Sequence, residues 1–178
     1  MAVDYFLKIE GIDGESQDAK HKGEIELASW SWGESNAGAG HFGGGGGGGA
    51  GKVSMQDFHF TSRVDKSSPK LFLACASGQH IKTAVITCRK AGGAPLTATA
   101  ASGDQIAPTP GDAFLAYKLA DVFVSSYQIG GGVDSELPAV QFSLNFAKIE
   151  VDFRPQNAEG GFGQPIVAGW DLVRNVKL

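Results

Sequence analysis

The 178-residue chain has no apolar run approaching the roughly 18 residues that a membrane-spanning helix needs. Its opening, "MAVDYFLKIEGIDGES", has neither a basic first segment nor an apolar core, which excludes a Sec-type signal; export would need a dedicated machine. Cysteine is scarce. Cys75 and Cys88 stand apart, with no C-x-x-C and no Cys/His spacing suited to zinc. They read as two free, buried thiols of a reducing compartment. Dense basic clusters are also missing: 15 Lys and Arg stand against 19 Asp and Glu, for a net charge of −4. That balance excludes a nucleic-acid footprint.

Glycine, by contrast, is abundant. The 26 glycines are about twice ordinary usage and favour turns and loops over long helices. With 42% hydrophobic and 19% charged residues, the chain can fill one packed interior, and its length suits a single domain over 1–178. Many glycines gather in "NAGAGHFGGGGGGGAGKVSMQDFHF", residues 36–60. From Gly46, "GGGGAGK" satisfies most of G-x-x-x-x-G-K, the loop that cradles nucleotide phosphates. Two requirements fail. Val53 replaces the hydroxyl that ligates magnesium, and "KVSMQDFHF" alternates like a strand where a helix N-terminus is needed. Polyglycine is also too free to pre-form a rigid nest. A nucleotide is excluded.

Alternation dominates the remainder. Val3, Tyr5, Leu7 and Ile9 alternate with polar residues, and "EIELASWSWG", "KVSMQDFHFTSRV", "IKTAVITCRKAG", "FLAYKLADVFVSSYQIGG", "VQFSLNFAKIEVDFRP" and "QPIVAGWDLVRNVKL" follow. Seven such segments predict an all-β-dominated fold. A strand of sixteen residues would span roughly 50 Å, too long to lie flat in a small domain. The apolar phase shows how the length is used. It runs Val140, Phe142, Leu144, Phe146, then jumps three places to Ile149, Val151 and Phe153; similar jumps separate Leu27 from Trp30 and Met55 from Phe58. A bulge at each jump lets a strand bend between sheets. The expected fold is a bent, closed or nearly closed antiparallel β-barrel of two sheets.

One segment breaks the pattern. In "SSPKLFLACASGQH", residues 67–80, Ser67 or Ser68 can cap, Pro69 suits the first helical position and Gly78 a C-terminal stop. This predicts one short flanking α-helix with Leu71, Phe72 and Cys75 on its buried face. Residues 34–51 and 92–113 read as exposed loops, the second rich in Ala, Thr, Gly and Pro.

The stretches "MAVDYFLKIEGIDGES", "ELASWSWGESN", "GKVSMQDFHFTSRVDKSSPKLFLACASGQHI", "RKAGG", "DVFVSSYQIGG" and "NFAKIEVDFRPQ", in this order, resemble the haemolysin-coregulated protein (Hcp) family of type VI secretion. The most specific are "SWSWG", "VDKSSPKL" with "ACASG", and "DVFVSSY". The resemblance implies a non-enzymatic barrel subunit that closes into homohexameric rings. Those rings stack as the inner tube of a contractile apparatus alongside sheath and spike components. It also implies that the protein, made in the bacterial cytoplasm, is expelled, and that small effectors travel in the ring lumen. No cofactor or metal, no nucleic acid and no membrane insertion are implied. In two places the chain departs from the family pattern: residues 94–113 are longer, and Phe153 stands in "DFRPQ" where tyrosine is frequent.

With Trp30 and Trp32 turned to the core, Ser29 and Ser31 point the other way, toward a bore, bulk solvent or a neighbouring subunit. Small hydroxyls on a bore would suit varied cargo. The glycine-rich loop at 34–51 is expected to act as an arm that mediates ring stacking through His41, Phe42, Gly43, Gly44, Gly45, Gly46, Gly47, Gly48 and Gly49, with His41 and Phe42 as its anchors. Three rival readings carry less. Asp57 and His59 could share a metal with a third ligand but read as solvated. Cys75 with His80 could form a nucleophile pair, yet a thiol midway along an amphipathic helix is usually core. A monomeric barrel holding a small ligand would need space among Trp30, Trp32, Phe58, Phe60, Phe142, Leu144 and Phe146, which look sufficient to fill it.

Overall fold

A computed structural model of the chain describes residues 3–36, 52–90, 106–133, 137–156, 158 and 161–178. In chain order these form β1 (Val3–Ile9), β2 (Ile25–Ser31), β3 (Glu34–Asn36), β4 (Val53–Met55), β5 (Phe58–Arg63), α1 (Ser68–Ser77), β6 (Ile81–Lys90), β7 (Ala113–Gly130), β8 (Ala139–Phe153), β9 (Ile166–Asp171) and β10 (Val176–Lys177). Two of the seven expected segments each divide, giving β4 with β5 and β9 with β10. All pairings between these strands are antiparallel, and the order β8-β5-β2-β1-β6-β7 closes on itself through β7–β8. β9 and β10 extend the sheet from β8, and β3–β4 form a separate two-stranded ribbon. The predicted closed barrel with one short helix is what the chain forms.

The phase jumps mark its corners. From Ala139 to Leu144, β8 pairs with β5; from Lys148 to Phe153 the same edge pairs with β9. The jump from Phe146 to Ile149 falls at this change of partner. Opposite it on β7, Asp121 takes the left-handed conformation, φ 51°, which bends that strand at the same level. The Leu27–Trp30 jump coincides with a register shift between Leu27 and Ser29. The Met55–Phe58 jump is no bulge. It is the break where the chain passes from the β3–β4 ribbon into the barrel.

Side chains from all around the barrel meet inside. Trp32 stacks on Phe58 at 5.2 Å, Phe58 on Phe60 at 5.9 Å and Phe60 on Phe142 at 5.1 Å. Leu7, Ile25, Ile86, Leu119 and Leu144 are fully buried around this column. Trp30 and Trp32 are half-buried, packed against the cluster and not enclosed by it.

The helix corrects its prediction in detail. Its buried residues are Ser68, Leu71 and Ala74; Phe72 is exposed, and Cys75 is half-buried. Leu71 and Ala74 sit three apart on one face, and Phe72, about 100° round the axis from Leu71, leaves it. Ser67 makes no side-chain cap; its hydroxyl donates to Asp65 instead. Gly78 ends the helix with φ 63°, a left-handed stop that needs no Cβ.

The expected loops are corrected too. Glu34–Asn36, the start of the 34–51 loop, are strand β3. In the 92–113 segment, Thr109, Asp112 and Ala113 are buried, because Thr109 Oγ1 donates to Asp152 and the Asp112 carboxylate faces His21. The glycine run, with His41, Phe42 and Gly43–Gly49, lies outside the described residues.

Candidate functional site

The two faces of one wall of the barrel follow from period two. Across β2, β5, β8 and β7, Trp30 lies opposite Phe60, Phe60 opposite Phe142, and Phe142 opposite Tyr127. This row faces the core. The next row faces away: Ser31 opposite His59, His59 opposite Ser143, and Ser143 opposite Ser126. Beyond the aromatic row, Ser29, Thr61, Gln141 and Gln128 repeat the outward pattern. The outer surface of the wall is therefore a field of hydroxyls and amides, in which Ser29, Ser31 and His59 are exposed.

A hydrogen-bonded cluster stiffens this surface where β7 shifts register between Val124 and Ser126. Ser125 Oγ donates to Asp57 Oδ2 at 2.6 Å, and Asn145 Nδ2 to Asp57 Oδ1 at 2.7 Å. Ser143 Oγ lies 2.8 Å from Ser125 Oγ and 2.5 Å from Ser126 Oγ. Asp57, expected to be solvated, is instead half-buried, with both carboxylate oxygens engaged. Among the described residues, no group of three or more His, Cys, Asp and Glu side chains is arranged to hold a metal. Cys75 and His80 lie on the helix and on the approach to β6, and the His80 ring is 6.4 Å from Phe123. Cys88 is fully buried, and burial pushes its thiol up to about 12, so it stays protonated.

Among the described residues, the same wall has two open edges. β1 pairs with β2 only at Ile25 and Glu26, and β6 leaves β7 after the Ile81–Val122 pair. Among the described residues, Leu27–Ser31 and Phe123–Gly130 therefore have a strand partner on one side only. These edges run antiparallel to one another across the four strands.

Two charged groupings were not legible as sites in the sequence. His21, 1% exposed, stacks on Phe6 at 4.3 Å; its Nδ1 lies 2.9 Å from Glu24, and its Nε2 3.3 Å from Asp112. Arg89 sits over the other ring of this group, 4.9 Å from the Phe6 centroid, and joins Asp4 and Asp18, each at 2.8 Å. Burial alone would push the His21 imidazole down, but hydrogen bonds to Asp112 and Glu24 hold it up at about 9. Burial likewise opposes the Asp112 carboxylate, yet the His21 hydrogen bond keeps it below the usual carboxylate range. On β7 and β8, the fully buried Lys118 Nζ donates to Glu150 Oε1 at 2.7 Å. Alternation does place Lys118 and Glu150 away from the aromatic core, but nothing local shows that their face is covered.

The comparisons agree with the geometry. A family model described as type VI secretion system effector, Hcp, matches residues 6–153. Protein hcp1 of Pseudomonas aeruginosa is 46% identical over 178 residues, which cover 99% of each chain. A solved structure described as a type six secretion system protein superposes with TM-score 0.83 at 31% identity, covering 99% of this chain and 100% of the other. Hcp1 from Salmonella typhimurium does so with TM-score 0.74 at 35% identity, over 100% of both. The chain belongs to the Hcp family of type VI secretion tube proteins.

Proposed function

We propose that this protein closes into homohexameric rings that stack as the expelled inner tube of a type VI secretion apparatus, with the polar wall turned to the bore. The observation that carries this reading is the pair of open edges on one four-stranded wall. Unpaired edges invite another strand, and copies placed side by side would bring the β2 edge of one against the β7 edge of the next in antiparallel sense. Such a contact joins two different patches, as a closed ring requires. Exposed apolar residues also gather near both ends of the β7–β8 ribbon: Phe72, Leu73 and Ile129 at one, Phe153, Ile166 and Val167 at the other.

Ser29 and Ser31 would face the bore among hydroxyls and amides, a lining suited to folded effectors of varied surface. The role is structural and carrying, not enzymatic. Sheath and spike components are the remaining partners, and secretion proceeds from the bacterial cytoplasm. A monomeric ligand-binding barrel has less support, since Phe58, Phe60, Phe142 and Leu144 fill the interior. Size-exclusion chromatography with negative-stain microscopy tests the reading. Annular particles at six times the 18.5 kDa of the chain are expected; a lone globule at high concentration would sink it.

A further inference from the structure

Where β7 bends at Asp121, a cleft of about 550 Å³ opens between β6, β8 and residues 174–178. That size falls within the roughly 300–1,000 Å³ of small-ligand sites. Four cationic side chains line it: Lys82 from β6, Lys148 from β8, Arg174 from the turn after β9, and Lys177 from β10. Asp121 is the one acidic side chain among its lining residues. The chain as a whole carries 15 Lys and Arg against 19 Asp and Glu, so this convergence runs against its overall charge. Two of the four cations are held in place. The buried Asp171 accepts from the Arg174 backbone N–H at 2.9 Å and from Arg174 Nε at 2.7 Å, and Lys148 Nζ lies 3.9 Å from it. Arg174 thus keeps both terminal NH2 groups for another acceptor, a planar fork matched to the oxygens of a phosphate. Lys82 and Lys177 are exposed and make no ion pair among the described residues.

We propose that this cleft binds a compact soluble polyanion with adjacent phosphate groups, and that the ligand clamps the β9–β10 hairpin onto the barrel. Arg174 forks onto one phosphate, Lys82 and Lys148 meet it from the barrel side, and Lys177 takes the next. Adjacent phosphates supply the charge density that four converging cations call for; single carboxylates do not. Left without an anion, the four like charges repel one another, and binding removes that repulsion. The hairpin has most to gain. Among the described residues, β10 pairs with β9 only at Val176–Asp171 and Lys177–Trp170. An anion shared by Arg174, Lys177, Lys82 and Lys148 ties this short ladder to β6 and β8. The site stands on one chain, so it holds whether or not rings close and stack.

Isothermal titration of the full chain with inorganic tripolyphosphate should show one site per chain, weakened as salt rises. Hydrogen exchange should slow in residues 166–178 and around Lys82 and Lys148 once the ligand is present. Lys82→Ala and Lys177→Ala, on opposite sides of the cleft, should each lower the affinity about tenfold or more, as loss of a charged contact does. Lys70→Ala, on the exposed surface of α1, should leave it unchanged. Both cleft lysines are exposed, so the variants should keep the wild-type unfolding temperature without ligand. An equal loss at Lys70 would mean diffuse charge attraction and overturn the site. Tighter binding of an oligoglutamate peptide would reassign the cleft to an acidic protein segment and overturn the phosphate ligand. The absence of binding heat, or equal protection by sulfate at matched ionic strength, would overturn the proposal as well.

Discussion

His21 Nε2 lies 3.3 Å from both carboxylate oxygens of Asp112, 91 positions further along the chain. The contact ties the 13–24 loop to the end of the long segment before β7, and Arg89, reaching Asp4 and Asp18, ties both to β1. A protonated imidazole donates from both nitrogens, to Asp112 and Glu24, so the link depends on charge.

Its pH dependence has a definite sign. The folded-state value of about 9 lies above the ordinary 6.5, so His21 contributes stability fully below pH 6.5 and loses it as pH rises through 9. Asp112, held low, contributes above the ordinary 3.8 and loses its share as pH falls through its depressed value. Thermal unfolding of the wild-type chain should weaken between pH 7 and 10, by about 3 kcal/mol at most. His21→Gln should be less stable at pH 7 and lack that decline. An identical slope in both proteins would remove His21 from the account.

The Lys118–Glu150 pair allows a sharper test. Lys118→Met strands a carboxylate in a buried site and should cost about 3–5 kcal/mol by denaturant unfolding. Lys118→Met with Glu150→Leu should recover much of that loss, since burying two ions offsets most of their attraction. A single variant as stable as the wild type would mean that water reaches the pair.

Phe58 touches Trp30, Trp32, Phe60, Tyr117 and Phe146 with its ring. Phe58→Ala leaves a hole where the aromatic column is densest and should cost about 3–5 kcal/mol. His59→Ala, its exposed neighbour on the opposite face, should change stability by about 0.5 kcal/mol or less. Equal losses at the two positions would contradict the assignment of faces.

Ser31→Arg tests the bore. The side chain is exposed on the polar wall, so rings should persist in size-exclusion chromatography while co-purification of cargo is lost. Cargo retained at the wild-type level would place Ser31 on a surface other than the carrying one.

Much of this architecture was readable from period and punctuation. The jump from Phe146 to Ile149 located the corner where β8 changes partners, and Gly78 located the helix stop, because phase and left-handed backbone are local properties. Phe72 leaves the helix face on which it is expected, since a ten-residue helix with apolar residues at 71, 72, 73 and 75 offers more than one apolar face. The half-burial of Asp57 is not legible locally, because its partners Ser125 and Asn145 come from β7 and β8, far along the chain.

The sequence by itself determined the barrel's strands, the bends at Leu27–Trp30 and Phe146–Ile149, the family and the outward turn of Ser29 and Ser31, though not the β3–β4 ribbon. Those follow from alternation and from residue types whose preferences act within a few positions. Only the tertiary structure decided which polar faces are covered: that His21 and Lys118 are buried, and that among the described residues the wall has two open edges. Burial of a face depends on whatever distant segment settles over it, and alternation names the two faces of a strand without saying what lies against either.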